Sequence, residues 1–202
     1  MPIAFSDLNR SRQSVSPILR ISAIAKSKKM MLWAGMISMT MTFAGLTSAY
    51  IVSSQRPDWN IKFSFPSLFY WSTLVIILSS FTFWISKKML RKGDLQKVNL
   101  MLLSTLILAV IFIILQFNGF RQIINQGYYF TGPESSISTS FIYVLVMLHL
   151  AHLISGIIVL IVVLFNSFNK KYTIHKTLGF DLAEMFWHFL GFLWLFLSLI
   201  HI

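Results

Sequence analysis

Polar residues are so sparse along most of this chain that long apolar runs, rather than a helical or strand alternation, set its organisation. Four runs are long enough to cross a hydrocarbon layer of about 30 Å, which takes about 20 helical residues. They lie at roughly 30 to 52, 67 to 86, 98 to 117 and 140 to 165. The fifth, roughly 179 to 201, falls in the closing stretch GFDLAEMFWHFLGFLWLFLSLIHI. From Met185 to Ile200 only His188 and Ser198 interrupt its Phe, Leu and Trp, so this helix has no side intended for water. The pattern predicts an all-α integral membrane protein: a basic N-terminal tail over 1–28 and one five-helix transmembrane bundle over 29–202. Short connections, no internal repeat and no linker able to hold a soluble domain support a single unit.

Composition agrees, with 56% hydrophobic and 11% charged residues. A formal net charge of +11 would suggest nucleic acid in a soluble protein, but here position matters more than sum. All but three of the 17 Lys and Arg residues fall in the tail (Arg10, Arg12, Arg20, Lys26, Lys28, Lys29), the second connection (Lys87, Lys88, Arg91, Lys92, Lys97) and the fourth (Lys170, Lys171, Lys176). The first and third connections hold only Arg56, Lys62 and Arg121. The positive-inside rule therefore predicts the N-terminus in the cytoplasm and the C-terminus outside, with no nucleic-acid partner and anionic lipid as a secondary attraction. The first apolar run exceeds the h-region of about 7 to 15 residues of a signal peptide and is read as helix one.

The chain has no cysteine, which removes disulfides, iron–sulfur clusters and thiolate copper sites. Any redox chemistry would use His or Met. In helix one, Gly45 and Ala49 form a small-xxx-small pair expected to be a packing face. Helix two, with Trp71 and Trp84 as interfacial anchors and Lys87 and Lys88 snorkelling, offers no chemistry. Gly93 and Asp94 make a turn before helix three, and Gln116 at that helix's outer end is expected to bond a neighbour.

Helix four places His149 and His152 on one face near mid-bilayer. Ligation of a metal or haem would need further ligands; the simpler account is hydrogen bonding to another helix. In helix five, Asp181, Glu184 and His188 follow the i, i+3, i+7 rule, with Trp187 and Trp194 on an adjoining face. Asp181 suits a helix N-terminus. Glu184, one turn deeper, needs a partner, because an uncompensated charge in the bilayer is costly. Glu184 and His188 are expected to face His152 or bound lipid, with Trp187 and Trp194 beside them.

These residues resemble a known pattern, that of subunit III of the haem–copper terminal oxidases, cytochrome c and quinol oxidases alike. The family's last helix has an acid near its start, then WHF and WLF; here these fall on Asp181, Trp187, His188, Phe189, Trp194, Leu195 and Phe196. Its H-x-x-H with a following glycine falls on His149, His152 and Gly156, its turn glycine on Gly93, and its LQ on Leu115 and Gln116. Ser38, Phe43, Gly45 and Ala49 fit its corresponding first helix, in the five-helix form that lacks two N-terminal helices. Two positions depart: Met39 stands where many members have a buried glutamate, and Gly119 where a glutamate often follows LQ.

The resemblance implies an accessory subunit of a proton-pumping respiratory oxidase that reduces O2 to water. Such a chain is not catalytic by itself and has no cofactor or metal of its own, haem and copper lying in partner subunits. Subunit I is the implied main partner, with other oxidase subunits, structural phospholipids and a setting compatible with a respiratory supercomplex, in the bacterial cytoplasmic membrane. Its implied roles are support of subunit I, lipid binding and proton uptake. His149, His152, Asp181, Glu184, Trp187, His188, Trp194 and Gln116 are then an intramembrane polar or lipid-facing set. The alternatives are an autonomous b-type cytochrome or a small proton-coupled transporter.

Overall fold

The computed structural model describes residues 17–55, 68–125, 137–172 and 177–200. Arg10, Arg12, Arg56, Lys62, Lys176 and His201 lie outside the described residues. Five α-helices form in chain order: α1 (Pro17–Ser53), α2 (Leu68–Arg91), α3 (Leu95–Asn125), α4 (Ile137–Phe168) and α5 (Leu178–Ile200). All five contain a stretch long and apolar enough to cross a membrane. The helices run past the apolar segments because backbone hydrogen bonding continues where the solvent changes. Thus α1 already includes Lys26, Lys28 and Lys29, and α2 continues through Lys87, Lys88 and Arg91.

The ends have local causes. Pro17 opens α1, a position where its missing N–H costs nothing. Gly93, with φ 79°, closes α2: its N–H donates to the Leu90 carbonyl at 3.0 Å and that of Asp94 to Met89 at 3.3 Å. Asp94 then caps α3, its Oδ1 accepting from the Lys97 N–H at 3.3 Å. Outside the spanning helices and beside the Lys97 ammonium, the Asp94 carboxyl is held below its ordinary pKa. At the end of α4 the same wrapped turn places Lys170 at φ 52°. Thr177 precedes α5, where its carbonyl accepts from the Asp181 N–H at 2.9 Å.

Packing contacts run in opposite order along α2 and α3, α3 and α4, α4 and α5, and α2 and α5, so these four helices form an antiparallel ring. Phe120 stacks on Tyr143 and Phe112 meets Trp194 at 5.2 Å, drawing α3, α4 and α5 around one core. The outer helix α1 docks on α4 and α5. The alternation brings the start of α1, the α2–α3 turn and the end of α4 to one end of the bundle, with Lys28, Lys29, Lys88, Arg91, Lys92, Lys170 and Lys171.

The α2 core face has a seven-residue rhythm. Phe69, Ile76, Phe83 and Leu90 alternate with Ser72, Ser79 and Ser86, all buried. Apolar contact with lipid tails is as favourable as with Leu, so close backbone approach through small residues replaces the hydrophobic drive between helices. One expectation is corrected here. The α1 packing face is Met36, Phe43 and Thr47, while Gly45 and Ala49 are exposed and a Cβ on Gly45 would meet nothing within 4 Å. Larger side chains reach into the groove between α4 and α5, and the small ones are left outside.

Candidate functional site

At the basic end, α2 and α5 are joined by a charged clasp. The ammonium of Lys87 lies between two carboxylates, 3.0 Å from Asp181 Oδ1 and in direct contact with Glu184 Oε2. Asp181 also accepts from the Thr177 hydroxyl at 2.9 Å. The His188 Nε2 stands 3.9 Å from the other Glu184 oxygen, one turn further along α5. The Glu184 side chain is only 8% exposed, against 39% for Asp181, which ranks Glu184 as the group that most needs its counter-ion.

Deeper in the bundle α5 is fixed by its indoles. Trp187 donates to Ser79 Oγ at 3.0 Å, and Trp194 to Thr73 Oγ1 at 3.1 Å. Thr73 passes its own proton to the Phe69 carbonyl at 2.9 Å, so the hydroxyl is free to accept. Gly156 on α4 makes room for this helix: a Cβ there would come within 2.6 Å of Leu190 and 3.5 Å of Trp187. Gln116 likewise donates across to Ser72 at 2.8 Å. Beside it, a Cβ on Gly119 would come within 3.0 Å of the Phe69 ring, so an aromatic side chain occupies the neighbourhood of that position.

The histidines of α4 divide. His149 is fully buried against Trp194 at 5.2 Å, Phe43 at 6.4 Å and Phe112 at 6.5 Å, and neither ring nitrogen finds a partner among the described residues. His152 is part-buried, and its Nδ1 donates to the carbonyl of Leu148, a turn earlier in α4, at 2.7 Å. The structure thus brings Asp181, Glu184 and His188 together, and Trp187, Trp194 and His149 into one core, with Gln116 on the α2–α3 side. Glu184 meets Lys87 in place of His152, because α2 runs beside α5 and delivers an ammonium at the required height. Among the described residues no group of three or more His, Cys, Asp or Glu could hold a metal ion.

What sequence reasoning missed is α2. Ser72, Ser79 and Thr73 receive the amide of Gln116 and both indoles, and Lys87 closes the clasp. The seven-residue spacing of Ser72, Ser79 and Ser86 is the signal that marks this face.

The sequence pattern of the family described as "Cytochrome c oxidase subunit III" matches residues 20–202. The chain is 30% identical over 174 residues to the cytochrome bo(3) ubiquinol oxidase subunit 3 of Buchnera aphidicola subsp. Baizongia pistaciae (strain Bp), covering 82% of this chain and 85% of that one. It is 24% identical over 176 residues to the cytochrome c oxidase subunit 3 of Bacillus sp. (strain PS3), covering 85% and 83%. The probable cytochrome c oxidase subunit 3 of Nocardia farcinica (strain IFM 10152) is 26% identical over 164 residues, 77% of each chain.

Proposed function

The chain belongs to the cytochrome c oxidase subunit III family, as an accessory subunit of a haem–copper oxidase, and from that premise we propose how it serves the complex. It sits beside subunit I, carries no redox centre and supports O2 reduction and proton uptake indirectly, by holding the catalytic subunit and its lipids in place. Haem and copper belong to the partner subunits. The basic end of the bundle faces the cytoplasm of a bacterial cell, in its cytoplasmic membrane.

The observation that carries this reading is where the family-like residues fall. His149 and Gly156 of α4 pack on Trp194 and Trp187 of α5, so the pattern shared with the family is one helix–helix seam. The indoles and the acid of α5 are engaged with another helix: each indole N–H goes to an α2 hydroxyl, and Glu184 is ion-paired to Lys87, while His149 packs among aromatic rings. Such residues hold a shape, which is what an accessory subunit supplies to its neighbour.

Purification from native membranes in mild detergent tests the proposal. Haem-bearing chains are expected to accompany this one, and its removal is expected to leave the haem content unchanged while shortening the active lifetime during turnover. Recovery of the chain without haem-bearing partners, or loss of haem in proportion to its removal, would overturn the accessory reading.

A further inference from the structure

Along the outward face of α2, Ile77, Phe81, Trp84, Lys88 and Arg91 follow one another at intervals of three or four residues and are all exposed. They change character in one direction. Ile77 and Phe81 are apolar, Trp84 stacks on Phe81 at 5.8 Å, and Lys88 lies 5.6 Å above the Trp84 ring. Beside this stripe is a cleft of about 420 Å³ lined by Trp84, Lys87, Lys88, Arg91 and Glu184. Lys87 turns inward, to Asp181 and Glu184. Among the described residues Lys88 meets only the Trp84 ring, and Arg91 meets no acid.

The exposed face of α3 offers a contrast. Its cation at the same end, Lys97, is already paired with Asp94 at 2.7 Å. The α2 stripe presents two cations, Lys88 and Arg91, with no acid partner among the described residues, above an apolar track, and together with Lys87 they exceed the two acids of the clasp by one charge. A molecule carrying one phosphodiester charge above a hydrocarbon chain matches both features.

We propose that this stripe binds one anionic glycerophospholipid, its phosphate between Lys88 and Arg91, its glycerol over Trp84 and an acyl chain along Phe81 and Ile77. The inference rests on the chain being embedded in a membrane and stands apart from its role in an oxidase. Phosphate recognition by Lys88 and Arg91 is shared with a soluble anion; the acyl track is what selects a lipid.

The test uses the intact complex, purified in mild detergent, stripped of loose lipid and titrated with phosphatidylglycerol or phosphatidylcholine in mixed micelles, with bound lipid read by mass spectrometry. The wild type is expected to prefer phosphatidylglycerol, and Lys88→Gln with Arg91→Gln to weaken it about 25-fold, roughly fivefold for each cation removed. Lys97→Gln is expected to leave binding unchanged. Should the double variant not assemble, Arg91→Gln alone carries the test, with about a fivefold loss expected. The proposal is overturned by equal binding of the two lipids, by an unchanged affinity in the variants, or by an equal loss in Lys97→Gln, which would mean diffuse surface charge. Displacement by millimolar inorganic phosphate of the lipid, or its absence at this cleft because a protein partner's acid fills it, would also overturn it.

Discussion

The ammonium of Lys87 serves two carboxylates, and the more buried of them, Glu184, has the most to lose if the pair is broken. Glu184→Leu leaves Lys87 with Asp181 alone and is expected to lower stability by about 2 kcal/mol, less than for a fully buried orphan charge because Asp181 remains as a partner and Lys87 is partly exposed. Adding Lys87→Leu is expected to recover most of the loss, since two apolar side chains can replace an ion pair at little cost. Thermal melting of the detergent-solubilised complex reads both; equal loss in the single and double variants would refute the coupling. His149 poses the opposite case, with both ring nitrogens buried and unpartnered among the described residues. Replacing it by Leu is expected to raise stability by about 1 kcal/mol, because an unsatisfied polar group is removed from the core. Turnover of the complex is expected to be unchanged, and a large fall in turnover without a fall in assembly would give His149 a chemical role.

At the scale of helices, small residues act only where another helix faces them. Gly156 lets α4 meet α5, and a side chain there would enter the space of the buried Leu190 and of Trp187. Gly156→Val is expected to destabilise the bundle by about 2 kcal/mol through overpacking. Gly45 faces open space, so Gly45→Ala is expected to be neutral or to stabilise α1 by up to about 1 kcal/mol through helix propensity. Melting of the two variants side by side distinguishes them, and equal effects would contradict this packing. Both glycines belong to the family-like pattern and look alike in sequence. The same limit applies to α2, whose Ser72 and Ser79 gain their partners only because α3 brings Gln116 and α5 brings Trp187 against them.

For the whole molecule, alternation of five helices gathers the basic segments among the described residues at one end, and the proposed orientation puts that end in the cytoplasm. The chain has no cysteine, so single introduced thiols report sidedness without background. A thiol at Ser54→Cys is expected to react with an impermeant reagent in intact cells, and one at Lys92→Cys only after permeabilisation. The reverse pattern would invert the orientation. The long apolar helices with short connections made the bundle legible from sequence, and the charge distribution made its sidedness an expectation. The site was legible in part: Asp181, Glu184 and His188 share a face by helical geometry, but Lys87, the counter-ion of the two acids, came from a different helix, 97 residues before Glu184.

The sequence by itself determined the five spans, the clustering of cations and the family pattern of α4 and α5, because each depends on local composition or on spacing along one helix. Tertiary structure alone decided which polar residues are partners. It set Lys87 against Glu184, sent the two indoles to Ser79 and Thr73, left His149 without a bond among the described residues and turned Gly45 outward. Those outcomes depend on the height and rotation at which helices meet. In nearly all-apolar spanning segments every face is equally welcome to lipid, so hydrophobic pattern cannot specify them, and close packing with satisfaction of the few polar groups does.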